Sequence, residues 1–82
     1  MIRIMYFASL RERLGSAEET LQSCPATLDD LRAELAARGG AWGEVFADGQ
    51  PVLAAVNQEM ASTGQALRSG DEIGFFPPVT GG

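Results

Sequence analysis

The strongest helical period in this chain runs from Thr27 to Arg38, and it dictates the architecture. Leu28, Leu31 and Leu35 fall at i, i+3 and i+7, so they form one apolar stripe. Thr27 is placed to cap the helix, and Asp29 and Asp30 suit the positive end of its dipole. Arg32 and Arg38 follow, and Gly39-Gly40 ends the pattern. A leucine stripe must cover an apolar surface. The flanking segments are strand-like, so that surface is a sheet. With 82 residues there is one domain with one small core, since a chain of this size buries only about 60–65% of its unfolded surface.

The rest reads as short strands and turns. Ile2 to Phe7 is a strand with Ile2, Ile4 and Tyr6 on one face and Arg3, Met5 and Phe7 on the other. Ser9-Leu10-Arg11-Glu12 has capping-box spacing for a helical turn that Gly15 ends. Glu19 to Ser23 is a weaker strand that forms a hairpin with the first. Ala41 to Gln50 is loop-like with room for a helical turn, and it carries Trp42 and Phe46; Asp48-Gly49 is a turn signal. Val52 to Val56 is a strand, Asn57-Gln58 a tight turn, and Glu59-Met60-Ala61 a short return. Gly64 to Leu67 is irregular. Ser69-Gly70-Asp71 then turns the chain into a last strand, Glu72 to Phe76.

This order, β-β-α-β-β-β, is an α+β arrangement with four or five strands. One helix covers one sheet face. If Ile4, Tyr6, Ile73 and Phe75 face the helix, Phe7 and Phe76 face away. Two outward phenylalanines form an apolar patch of the kind that marks an interaction site. The competing expectation is that the 41–50 segment covers both.

Composition narrows the function. Net charge is −5 and no basic patch is visible, which argues against nucleic acid. An acidic chain suits a basic partner surface. All six basic residues are arginine, so no ε-amine can form a Schiff base or accept an isopeptide bond from another copy. Histidine is absent, and with it the commonest general base. The single Cys24 can form no internal disulfide and has no histidine to activate it; it reads as an incidental small apolar residue. No metal-ligand constellation exists. Arg3, Arg11 and Arg13 interrupt any signal-peptide core, and no segment reaches the roughly 20 apolar residues of a membrane span. The expectation is a cytoplasmic protein without membrane contact that is no enzyme on its own.

What such a body could present is its end. Residues 1–76 form the domain, and Pro77-Pro78-Val79-Thr80-Gly81-Gly82 forms a tail. Two prolines forbid a helix. Extended, six residues span roughly 20 Å. Two residues without side chains could enter a channel that excludes any Cβ, and the reactive group there is the Gly82 α-carboxylate. Two terminal glycines arise by chance in roughly one chain in two hundred, so a frayed terminus is the competing reading. The short exit from an apolar strand through Pro-Pro argues against it.

The closing Gly70-Asp71-Glu72-Ile73-Gly74-Phe75-Phe76-Pro77-Pro78-Val79-Thr80-Gly81-Gly82 resembles the C-terminus of the molybdopterin synthase small subunits, the MoaD sulfur carriers. Tyr6-Phe7-Ala8-Ser9-Leu10-Arg11-Glu12 is similar to that family's start, and Val56-Asn57-Gln58 to its central turn. Gly74 stands where alanine is common, and Tyr6 where phenylalanine is common. The resemblance implies a β-grasp, ubiquitin-like fold with a mixed four- to five-stranded sheet and one main helix packed on one face. It implies that an E1-like, MoeB-like enzyme uses ATP to adenylate Gly82, and that a sulfur-delivering enzyme turns the adenylate into a thiocarboxylate. The tail, with Val79, Thr80 and Gly81, would then enter a large MoaE-like subunit in a two-plus-two heterotetramer. There it would give sulfur to cyclic pyranopterin monophosphate, forming the molybdopterin dithiolene. The carrier itself would bind no cofactor or metal. Phe7, Met60 and Phe76 are the expected docking patch. The alternatives are a carrier for thiamine or tRNA thiolation, a protein modifier, and a non-covalent adaptor.

Overall fold

The computed structural model describes residues 1–47, 51–62 and 64–78. Among them the chain runs β1 (Ile2–Tyr6), α1 (Ser9–Leu14), β2 (Glu18–Leu21), α2 (Leu28–Ala36), α3 (Gly40–Phe46), β3 (Leu53–Val56), β4 (Glu59–Met60) and β5 (Glu72–Phe76). The strands form one sheet in the order β2-β1-β5-β3-β4. β1 and β5 are parallel and the other pairs antiparallel. The last strand therefore runs through the middle of the sheet, with β1 and β3 on either side. A terminal segment held this way is anchored up to its final paired residue.

The leucine stripe does what its spacing predicts. Leu28, Leu31 and Leu35 are fully buried against Ile2, Ile4, Tyr6, Ile73 and Phe75. Thr27 Oγ1 accepts a hydrogen bond from the Asp30 N–H at 3.2 Å, which caps α2. Asn57 and Gln58 both have positive φ, 50° and 70°, as the turn of a tight hairpin requires. Asn57 also ties that hairpin to β5. Its Nδ2 donates to Asp71 Oδ1 and its Oδ1 accepts from the Glu72 N–H, both at 3.0 Å.

Two expectations are corrected. Where the sequence reads as loop-like with room for a helical turn, residues 40–46 form a full short helix, α3. Gly40 and Gly43 lower its intrinsic propensity, but Val45 and Phe46 are buried and Trp42 packs on the same core. Phe46 meets Phe75 edge-on at 4.9 Å, and Trp42 meets Tyr6 at 5.2 Å. This aromatic packing outweighs the glycines. It also places α3 on the face that α2 covers, so residues 40–47 do not cover the opposite face. The Asp48-Gly49 turn lies outside the described residues. The second correction concerns α1. The N-cap is Ala8 (φ 54°, ψ −131°), with no side-chain cap hydrogen bond, so Ser9 and Glu12 form no capping box. Instead the Leu10 N–H donates to the Phe7 carbonyl at 3.1 Å, closing a tight turn whose first corner is Ala8. Gly15 ends the helix at φ 68°, as expected.

Tyr6 shows what the extra hydroxyl does in this chain. Its phenol donates to Glu19 Oε2 at 2.9 Å, and Arg38 grips both oxygens of Glu19 at 2.6 and 2.8 Å. The Arg38 guanidinium lies 4.4 Å from the Trp42 ring centroid. One carboxylate thus joins β1, β2, α3 and the end of α2. The Arg38 hydrogen bonds hold the Glu19 carboxyl below its ordinary value of 4.5, against the opposing effect of burial. Burial first, then the Glu19 hydrogen bond, pushes the Tyr6 phenol far above its usual range. A carboxyl depressed in the folded state adds stability above its unfolded value, and that stability is lost as pH falls through the folded value. Glu19→Gln should therefore cost about 1–2 kcal/mol at pH 7. In urea unfolding the gap to the parent should shrink steadily below pH 4.5. An equal gap at pH 7 and pH 3 would contradict this role.

Candidate functional site

Strand alternation sorts the sheet into two faces. Ile4, Tyr6, Ala54, Val56, Ile73 and Phe75 point into the core and are buried. Their neighbours point outward. In register across the sheet lie Met5, Gly74, Ala55 and Met60, with Phe76 beside Leu53 in the next row and Phe7 at the end of β1. Phe7 is 44% exposed and Met60 65% exposed, while Met5, Leu53, Ala55 and Phe76 are half-buried. Phe7, Met60 and Phe76 therefore share one face, Phe7 directly after β1, Met60 on β4 and Phe76 on β5. With neighbouring strands about 4.8 Å apart, the patch spans roughly 14 Å from β1 to β4.

Met5, Leu53 and Ala55 extend that patch and were missed as site residues. The signal for them was available: if Val52, Ala54 and Val56 point inward, Leu53 and Ala55 must point outward. Toward the start of β1 the face becomes polar. Arg3 reaches Glu18 at 2.5 Å and Glu72 at 3.5 Å. These ion pairs are exposed and contribute little to stability; they border the apolar area. At the other end of β5, Pro77 and Pro78 leave the sheet directly after Phe76, still half-buried. The expected tail residues Val79, Thr80, Gly81 and Gly82 lie outside the described residues.

The described residues hold no group of three His, Cys, Asp or Glu side chains able to bind a metal. No helix among them is long and apolar enough to cross a membrane. Cys24 is a free, half-buried thiol packed against the core edge, its Sγ 3.6 Å from the Pro25 carbonyl oxygen. It is not part of the patch. The patch itself offers neither nucleophile nor base, so what it can do is bind.

A family model described as the ThiS family matches residues 4–82. The chain belongs to the ThiS family. Within it, the chain is 42% identical to the Molybdopterin synthase sulfur carrier subunit of Escherichia coli (strain K12), over 100% of both chains. Identity to the protein of the same name from Haemophilus influenzae is 39%, again over all of both. Among solved structures, SAMP1 from Haloferax volcanii superposes with a TM-score of 0.77 at 32% identity, covering 99% of this chain and 98% of that one. This ThiS-family member thus has the ubiquitin-like β-grasp fold and groups with the molybdopterin synthase sulfur carriers. Five strands are the upper end of the sheet size expected from sequence, and α2 is the main helix on the covered face.

Proposed function

We propose that this chain carries sulfur on its Gly82 carboxyl and delivers it within a molybdopterin synthase. One observation carries the reading: the strand that leads into Pro77-Pro78 is the central strand, and it leaves the sheet beside an apolar face on which Phe7 and Met60 are exposed. A partner seated on that face would meet the tail at its root. The curated relatives carry the molybdopterin synthase name, which favours this pathway over thiamine or tRNA thiolation.

The chemistry follows from what the body lacks. A carboxylate is a poor electrophile. An E1-like enzyme must first let a Gly82 oxygen attack the α-phosphorus of ATP, releasing pyrophosphate. The acyl-adenylate then loses AMP to a sulfur donor, which leaves a thiocarboxylate. Sulfur is the softer nucleophile. The thiocarboxylate sulfur bonds to a carbon of cyclic pyranopterin monophosphate in the large subunit as a C–O bond of the substrate breaks. Water then cleaves the resulting thioester, leaving sulfur on the pterin and returning the Gly82 carboxylate. The carrier offers no histidine or lysine for acid–base work, so those groups belong to the large subunit. Val79, Thr80 and Gly81 thread the channel, while Phe7, Met60 and Phe76 dock the body. The dithiolene needs two sulfurs, which suits a two-plus-two assembly. The chain binds no cofactor itself, and ATP is consumed by the activating enzyme in the cytoplasm.

The test is reconstitution with the large subunit and cyclic pyranopterin monophosphate. Thiocarboxylated carrier should yield the dithiolene product and unmodified carrier none; product from both would refute the reading. Cys24→Ser should transfer sulfur at the parental rate, within about twofold, because the half-buried thiol is not in the relay. Loss of transfer in that variant would move the sulfur to Cys24.

A further inference from the structure

We propose that Gly74 is a positioning residue: its bare Cα sets where the Phe7 ring lies on the outer face, and that placement tunes affinity for the large subunit. This rests on the docking role given to that face above.

Gly74 sits mid-way along the central strand, paired with Met5 on one side and Ala55 on the other. Glycine weakens a strand, so its presence there signals a close approach or a bulge. No bulge interrupts the β5 register, and the backbone is not in the left-handed region. Close approach remains. A Cβ built on Gly74 would lie 2.9 Å from Phe7 Cε2, 3.7 Å from Cδ2 and 3.8 Å from Cζ. Its three nearest neighbours thus all belong to one ring. Gly74 is buried although it faces outward, because Phe7 lies over it.

The Phe7 backbone cannot retreat to make room. Its N–H donates to the Phe75 carbonyl at 3.0 Å, and its own carbonyl accepts from the Leu10 N–H at 3.1 Å. The next residue, Ala8, turns the chain at φ 54°, where a non-glycine residue is held under strain. With both backbone groups fixed, a Cβ at position 74 can be accommodated only by swinging the ring about its side-chain torsions. That motion is open, since Phe7 is 44% exposed. The fold therefore tolerates alanine there, while the ring's placement does not.

The test is Gly74→Ala in the parent and in a Phe7→Ala background, with Kd for the large subunit and the thermal midpoint of the free carrier. Gly74→Ala should leave the midpoint unchanged or raise it, since alanine favours an extended strand over glycine. It should weaken binding about tenfold in the parent and less than about twofold in the Phe7→Ala background. In the free carrier, NMR should show cross-peaks between the Phe7 ring and the Gly74 Hα protons. The corresponding ring contacts should change in Gly74→Ala. Equal losses in both backgrounds, or a ring undisturbed by the substitution, would overturn the positioning role and leave the docking face standing. A Phe7→Ala carrier that binds as tightly as the parent would remove the docking role, and the positioning role with it.

Discussion

A chain that stops at Gly81 is expected to fold like the parent and to deliver no sulfur. The body's stability is settled upstream of the tail. β5 ends at Phe76, and the buried core residues lie between Ile2 and Phe75. Removing Gly82 deletes none of them, so the thermal midpoint should stay within about 4 °C, as for a substitution worth under 0.5 kcal/mol. A carboxylate would still exist on Gly81, but one residue short of the activating site. Displacing a reacting atom by even about 1 Å can cost on the order of a hundredfold; a whole residue moves it by about 3.3 Å. Dithiolene formation should fall to background. Gly81→Trp should do the same by a different route, because its side chain closes the channel while the terminal carboxylate is kept. Parental transfer from either variant would mean that the tail is not the carrier.

The second large effect separates two adjacent residues. Phe75 is fully buried, stacked with Tyr6 at 6.2 Å and edge-on to Phe46 at 4.9 Å. Phe76 points to the opposite face and is half-buried. Phe75→Ala should cost about 3–5 kcal/mol from lost burial and the cavity left behind. For a domain this small that lowers the thermal midpoint by about 15–30 °C, and it consumes much of a total stability of about 4–12 kcal/mol. Phe76→Asp should do the reverse. The free carrier stays folded, with its midpoint within a few degrees of the parent. The complex with the large subunit weakens by about 2–4 kcal/mol, or roughly 30- to 1,000-fold in Kd, because a charge must be desolvated in the centre of the interface. Calorimetric melting and a binding titration check both. Identical profiles for the two variants would show that the face assignment is wrong.

That contrast was legible in the sequence, because a strand's period of two is local and strict. Once Ile73 and Phe75 are assigned to the core, Phe76 has only one direction to point. The leucines of α2, the cap at Thr27 and the turn at Asn57-Gln58 were legible for the same reason: each depends on residues within a few positions. α3 was not legible. Gly40 and Gly43 argue against a helix, and the contacts that override them come from Tyr6 and Phe75, more than 25 residues away on either side. The Ala8 turn was hidden because alanine gives no sign of positive φ. Gly74 was noticed only as a departure from alanine. Its reason lies in a ring placed over it by the parallel β1–β5 pairing, which no local pattern encodes.

The proposed carrier role depends on which atom Gly82 bears on its terminal carbonyl carbon. The direct measurement is the intact mass of the carrier after incubation with ATP, the E1-like enzyme and a sulfur source, followed by fragmentation to locate the change. The account predicts a chain heavier by the difference between one sulfur and one oxygen atom, with the added mass on Gly82 and none on Cys24. An unchanged mass under conditions where the activating enzyme consumes ATP on a known carrier, or added sulfur found on Cys24, would contradict it.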